Sequence, residues 1–331
     1  MQAFAAVTLC ALMAAGAAAR PCDTYFAAGT PCVAAHSVVR ALFAAYDGPL
    51  YQVRRADGNT SDVGVLSAGG VVNAAAQSAF CGQSSCVIST IYDQTKRSNH
   101  LTIAPGGGNV PHADVGVNAS ALQLSIDGHQ AFGAYFTGGQ GYRIMKGSGV
   151  AVGDEAETIY MVVGGRHYND GCCFDYGNAE VDARDDGKGA MEAVYFGNST
   201  STNRGGGDGP WVMVDLEKGL WAGNTTVNEN NRRIDADYVV AMVKGRSGIP
   251  GGFTLKGGDT TQGSLETLYD GPRPPDYTPM KKQGSIILGI GGDNSNRAVG
   301  TWFEGVMTAG YSSDAADELV FADIVGAKYG K

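Results

Sequence analysis

The sequence predicts an all-β protein, a two-sheet antiparallel β-sandwich with a short N-terminal helix and a C-terminal helix. Three observations carry this reading. Short apolar runs rich in Val, Ile, Tyr, Phe and Trp recur along the chain, separated by Gly, Asn and Asp. No regular alternation of strand and helix patterns interleaves them, which argues against a parallel doubly wound sheet. Glycine accounts for 50 of 331 residues without a Gly-X-Y period, so loops and turns, not a collagen helix, absorb it.

In chain order, the first 19 residues read as a secretory signal. An apolar stretch from Ala3 to Ala15 is followed by Gly16 and the small-residue site Ala17-Ala18-Ala19. The stretch is shorter than the ~20 apolar residues a membrane span needs. Next, Ala35, Val38, Val39, Leu42, Phe43 and Tyr46 recur at helical spacing, which predicts a helix ended by Gly48-Pro49. Nine runs then read as strands: Leu50 to Arg54, Val87 to Tyr92, Ala131 to Phe136, Thr158 to Val163, Met191 to Phe196, Trp211 to Asp215, Tyr238 to Val243, Ser285 to Ile290 and Thr301 to Met307. A last helix is expected from about Asp317 to Tyr329. No linker-like stretch divides residues 20–331, so one sandwich of the jelly-roll, concanavalin-like kind is expected there.

Composition narrows the partners. The formal net charge is -9 and the 24 Lys and Arg residues are scattered, which excludes a phosphate-tracking surface for nucleic acid. Only 17% of residues are charged, which suits a neutral polar ligand such as a sugar. No later segment approaches membrane length, and a monomer is expected. Seven cysteines include Cys10 in the leader, leaving Cys22, Cys32, Cys81, Cys86, Cys172 and Cys173. Six cysteines in an exported chain favour disulfides, with about 15 connectivities open. Cys22 with Cys32 and Cys81 with Cys86 would close short loops. That leaves the adjacent Cys172 and Cys173, whose pairing the spacing alone leaves open, because neighbouring Cα atoms lie closer than disulfides prefer. Sequons at Asn59, Asn118, Asn198 and Asn224 are candidate N-glycosylation sites.

The five histidines show no metal-ligand spacing, so no metal and no cofactor is expected. Carboxylates at strand ends are the chemical feature. The run WVMVDLE carries an apolar strand into Asp215 and Glu217, two residues apart and so on one face if the strand continues. The run SIILGIGGDN opens through glycines onto Asp293 and Asn294, with Gly292 allowing close approach of a ligand. A carboxyl pair across a glycosidic bond is what glycoside hydrolysis requires. The same acids could equally end strands, cap turns or bind calcium.

Several long segments resemble the catalytic domain of glycoside hydrolase family 54, the fungal α-L-arabinofuranosidase B group. They are PCDTYFAAGTPCVAAHSVVRAL, STIYDQ with SNHL, GDEAE, HYNDGCCFDYGNAE, MEAVYFGNST, GDGPWVMVDLE, SIILGIGGDNSN and EGVMTAGY, in that order from about Pro21 to Lys331. The resemblance implies a retaining exo-glycosidase that releases terminal α-L-arabinofuranosyl groups from arabinoxylan or arabinan. It implies Glu217 as nucleophile, Asp293 as general acid/base, and Asp215, Gly292 and Asn294 as sugar contacts. It also implies a Cys172–Cys173 disulfide in the sugar pocket. On this mechanism Glu217 is expected ionised, Asp293 protonated, and their carboxyl groups roughly 5–5.5 Å apart. Two departures are Ser201 to Arg204, where the family has an aromatic, and Lys218, where it has Asn. The arabinose-binding domain that usually follows in this family is not expected here. A β-D-galactofuranosidase and a non-catalytic lectin-like sugar binder are the alternatives.

Overall fold

The computed structural model describes residues 19–331, so Cys10 and all but the last residue of the expected signal sequence lie outside the described residues. Twenty strands and three helices follow in order: α1 (Pro21–Ala27), β1 (Cys32–Ser37), β2 (Pro49–Arg55), β3 (Thr60–Gly64), α2 (Ala74–Cys81), β4 (Cys86–Ile91), β5 (Leu101–Ile103), β6 (Leu122–Ile126), β7 (His129–Phe136), β8 (Tyr142–Ile144), β9 (Glu157–Tyr168), β10 (Asp175–Ala179), β11 (Glu192–Gly197), β12 (Arg204–Gly206), β13 (Trp211–Asp215), β14 (Leu220–Trp221), β15 (Val227–Arg232), β16 (Tyr238–Arg246), β17 (Gly252–Asp259), β18 (Glu266–Pro272), β19 (Ser285–Leu288), β20 (Gly300–Ala309) and α3 (Asp314–Gly326).

Two large antiparallel sheets form the sandwich. One runs β18-β17-β16-β9-β20-β7-β6, with β1 also pairing β20; the other runs β14-β13-β11-β10-β19-β8-β5-β4-β2-β3. Among the named strands of the described residues, only the small β12/β15 pair is parallel. All nine strand runs read from sequence are strands, several of them longer than read.

The helix expected over Ala35 to Tyr46 is not there. Residues 32–37 form β1, which pairs with β20 and is buried on both faces. A strand covered on both sides is apolar throughout, so its spacing carries no period. Beyond it the amides bond to distant partners: Ala41 N–H to Gly70 O and Leu42 N–H to the Gln94 side chain. The N-terminal helix of this fold is α1 instead. The C-terminal helix begins three residues earlier than read, because Ser313 caps it by accepting the Ala316 N–H.

Strand alternation separates two apolar layers. On β13, Val212 and Val214 enter the main core between the sheets; Trp211 and Met213 face the other way and pack with Cys173, Tyr195, Leu220 and Ala222. Val194 and Phe196 of β11 likewise face the main core while Tyr195 does not. The second layer lies on the face of the ten-stranded sheet turned away from its partner. That face carries the site.

Candidate active site

Four neighbouring strands, β13, β11, β10 and β19, supply the frame. Register places Asp215, Ala193, Gly177, Ile287 and, on β8, Arg143 in one row across the sheet. Directly opposed residues point to the same face, so Ala193, Gly177 and Ile287 floor the space between Asp215 and Arg143.

Glu217 does not continue the strand. β13 stops at Asp215, the chain turns through Leu216 to Gly219, and β14 returns with Leu220 opposite Asp215. Glu217 sits at the tip with φ of 77°, a left-handed conformation uncommon for a residue with a Cβ. The Asp215 carboxylate holds it there, its Oδ1 accepting the Glu217 N–H at 2.9 Å. The two acids therefore meet through this hydrogen bond and not through strand alternation.

Asp293 arrives from the other side. Gly289 leaves β19 with φ of 77°, and a Cβ at that position would run into the Phe136 ring. The chain then folds into a tight loop: Gly291 N–H donates to Ser295 O, and Asp293 Oδ1 accepts the Ser295 N–H at 3.0 Å. This loop is tied to the paired cysteines by Cys173 N–H to Ser295 O and Arg297 N–H to Cys172 O.

All three disulfides join the expected partners: Cys22–Cys32, Cys81–Cys86 and Cys172–Cys173. The peptide between Cys172 and Cys173 is cis, so their Cα atoms are 3.0 Å apart. Cys173 Sγ lies 3.4 Å from Asp215 Oδ2. Among the described residues, Cys172, Cys173 and Asp215 are the one grouping with metal-ligand spacing, and its sulfurs are bonded to each other and offer no thiolate.

These pieces enclose a pocket of about 210 Å³ lined by Cys172, Cys173, Asp215, Glu217, Gly292 and Asp293, together with Asn109, Asp185, Met191, Gly291 and Ser295. A larger groove of about 530 Å³ lies elsewhere, along Phe26, Phe43 and Tyr46. Its one carboxylate, Asp23, is engaged by the Arg20 and Ala44 amides. The smaller pocket has the acids.

Of the sequence-predicted residues, Asn294 does not line the pocket. It is fully buried, and its Nδ2 donates to Asp114 Oδ1 and Val110 O, so it supports the loop from behind. Lys218 points to the rim and pairs with Asp185. Thr202 braces the turn after Glu217, bonding the Leu220 N–H at 3.0 Å. Among the sequons, Asn59 and Asn118 are exposed, whereas Asn198 and Asn224 are half-buried.

Charge is concentrated here. Glu217 is pushed up to about 7, first by burial and then by the Asp293 charge, with Lys218 and Arg143 pulling it down. This upward push works against the plainly ionised Glu217 expected from the sequence. Asp215 is pushed up to about 7, chiefly by burial. Behind it Asp175, fully buried on β10, is raised well above the carboxylate range by burial and by Asp215. Sequence reading missed Asp175, Arg143, Asn109 and Asp185; no local pattern distinguishes them from ordinary strand and loop residues.

An antiparallel sandwich with a carboxylate pocket on an outer sheet face is the class of protein this fold and site define. The family model for the catalytic part of α-L-arabinofuranosidase B matches residues 21–330, and the chain belongs to that family. α-L-Arabinofuranosidase B of Aspergillus oryzae is 52% identical over 320 residues, 94% of this chain and 63% of its own length. That of Emericella nidulans is 50% identical over 323 residues, 94% of this chain and 62% of its own. The chain thus spans under two thirds of the curated relatives it matches. A crystal structure of an arabinofuranosidase complexed with arabinofuranosyl-α-1,2-xylobiose superposes with a TM-score of 0.91 at 47% identity, covering 94% of this chain and 66% of that one. A glutamate-to-glutamine mutant of a family 54 α-L-arabinofuranosidase soaked with 4-nitrophenyl α-L-arabinofuranoside superposes with a TM-score of 0.90 at 47% identity and the same coverage.

Proposed function

We propose that residues 20–331 form the catalytic domain of a secreted, retaining exo-glycosidase that releases terminal α-L-arabinofuranosyl groups from arabinoxylan- or arabinan-type chains. The observation that carries this is the convergence of Glu217 and Asp293 on one small pocket walled by Cys172–Cys173, in a chain of this family. One relative of similar fold is complexed with arabinofuranosyl-α-1,2-xylobiose and another was soaked with 4-nitrophenyl α-L-arabinofuranoside, which supports the same sugar here.

In the first step Asp293 protonates the glycosidic oxygen while Glu217 attacks the anomeric carbon, giving a glycosyl ester and the free alcohol. In the second, Asp293 takes a proton from water, which displaces Glu217 and restores the starting configuration. The positive charges of Lys218 and Arg143 both act to keep Glu217 ionised for attack. Asp215 holds the Glu217 turn through Oδ1 and has Oδ2 beside the disulfide for sugar hydroxyls. The Cys172–Cys173 disulfide in the pocket wall offers a surface for the furanose ring. Three disulfides suit an oxidising, extracellular compartment.

The test is hydrolysis of 4-nitrophenyl α-L-arabinofuranoside by the wild type and by Glu217→Gln, with proton NMR of the first-formed anomer. The expected result is turnover with retention by the wild type and a loss of at least ~10³-fold in the variant. A fully active variant, or an inverted product, refutes the mechanism. Sugar binding without turnover by the wild type supports a lectin instead.

A further inference from the structure

Arg143 is a buried cation that the mechanism above leaves without a structural role. It sits on β8, 2% exposed, and makes no ion pair with any described residue. Its guanidinium spans two main-chain carbonyls. One N–H donates to Gly292 O at 2.5 Å, and another to Glu180 O. Gly292 is the residue immediately before Asp293. Glu180 directly follows β10 and opens the loop that brings Asp185 to the pocket. The third chain at this point, Gly107 to Asn109, closes on the same two segments, with Gly108 N–H donating to Ala183 O and Asn109 N–H to Asp293 O.

Burying an unpaired guanidinium is costly, and burial does lower Arg143 to about 10, which leaves it charged. What offsets the cost is the pair of carbonyls together with the nearby carboxylates of Asp182 and Glu217. The side chain is planar and forked, so it holds two carbonyls at a set separation; a lysine ammonium could serve only one of them well. Packing alone does not call for such a group, since the neighbouring row positions are filled by Ile287, Gly177 and Ala193.

We propose that Arg143 is a positioning residue for the reaction: by bridging Gly292 O and Glu180 O it sets the loop on which Asp293 reaches the glycosidic oxygen. This rests on the assignment of Asp293 as the acid. A misplaced acid costs little when the leaving group needs no proton and much when it does. A general loosening of the fold would lower both alike. That contrast separates positioning from mere stability.

The experiment compares kcat/KM for 4-nitrophenyl α-L-arabinofuranoside, an activated leaving group, with that for arabinofuranosyl-α-1,2-xylobiose, whose leaving group is a sugar alcohol. The variants are Arg143→Lys and Arg143→Gln, with Asp293→Asn as the benchmark and far-UV circular dichroism to verify folding. Arg143→Lys keeps the charge and carries the comparison if the glutamine variant does not fold. The expected result is a loss of about 10-fold or less on the activated substrate and about 100-fold or more on the xylobioside, in the direction shown by Asp293→Asn. Equal losses on both substrates, or wild-type rates, overturn the role of Arg143 while leaving Asp293 in place. An Asp293→Asn variant without leaving-group dependence removes the acid assignment itself, and the inference falls with it.

Discussion

Replacing Glu217 by glutamine should stabilise the protein, and only above the ordinary range of a glutamic acid. Folding pushes the Glu217 carboxyl from 4.5 up to about 7, first by burial and then through Asp293. The folded state therefore holds a proton that the unfolded chain has released, and its stability declines as pH rises between those values. Below about 4.5 the contribution is fully present; above about 7 it is gone. At about 1.36 kcal/mol per pH unit the ceiling is about 3.4 kcal/mol. Glu217 is half-exposed, and solvent screening reduces this to on the order of 2 kcal/mol. Glutamine has nothing to ionise, so the variant escapes the decline. Urea unfolding followed by tryptophan fluorescence at pH 4 and pH 7.5 measures it. The variant should match the wild type at pH 4 within ~0.5 kcal/mol and exceed it by about 2 kcal/mol at pH 7.5. A stability gap independent of pH, or one that favours the wild type as pH rises, refutes the electrostatic account of the pocket.

Asp215→Ala removes the acceptor of the Glu217 N–H. At about 1.5–3 kcal/mol for a charge-assisted bond, kcat/KM on 4-nitrophenyl α-L-arabinofuranoside should fall by about 10- to 100-fold, and an unchanged rate refutes the tether. A Cβ at residue 292 would run into the buried Glu180 carboxyl, so Gly292→Ala should cost about 1–3 kcal/mol in thermal unfolding and lower turnover; wild-type stability would count against that close fit. The Cys22–Cys32 bridge closes a separation of 10 residues, and replacing both by alanine should cost about 2–3 kcal/mol in urea, away from the pocket and with kcat intact.

Strands were legible wherever one stretch of chain carried its own signal. Trp211–Asp215 shows five residues of β character running into an acid, and its bounds match to the residue. Strand β17, with sequence GFTLKGGD, shows no such signal, because its Lys256 looks like a surface residue. It is buried only because Asp314 and Asp317 of α3 accept from it at 2.6 and 3.0 Å, and neighbouring Lys244 shares the same acids. That partnership spans about 60 residues of chain and has no local trace. The false helix near Ala35 has the same origin: β1 is covered on both sides, so its apolar run fits either period. Within the site, the two acids were readable because each lies a few residues beyond the end of an apolar strand. Their supports, Arg143, Asp175 and Asn109, matter only through which segments the topology brings together. A charged residue on a three-residue strand says nothing by itself.

Strand β13 presents Val212 and Val214 to the interior of the sandwich and Trp211, Met213 and Asp215 to the pocket side. One strand thus serves two compartments that do not share side chains. Substrate range and thermal endurance are therefore separately adjustable in this scaffold. A library confined to Tyr195, Trp211, Met213 and Leu220 would reshape the layer packed behind Cys173 of the pocket wall while leaving the inter-sheet packing untouched, and stabilising changes between the sheets would leave that layer as it is.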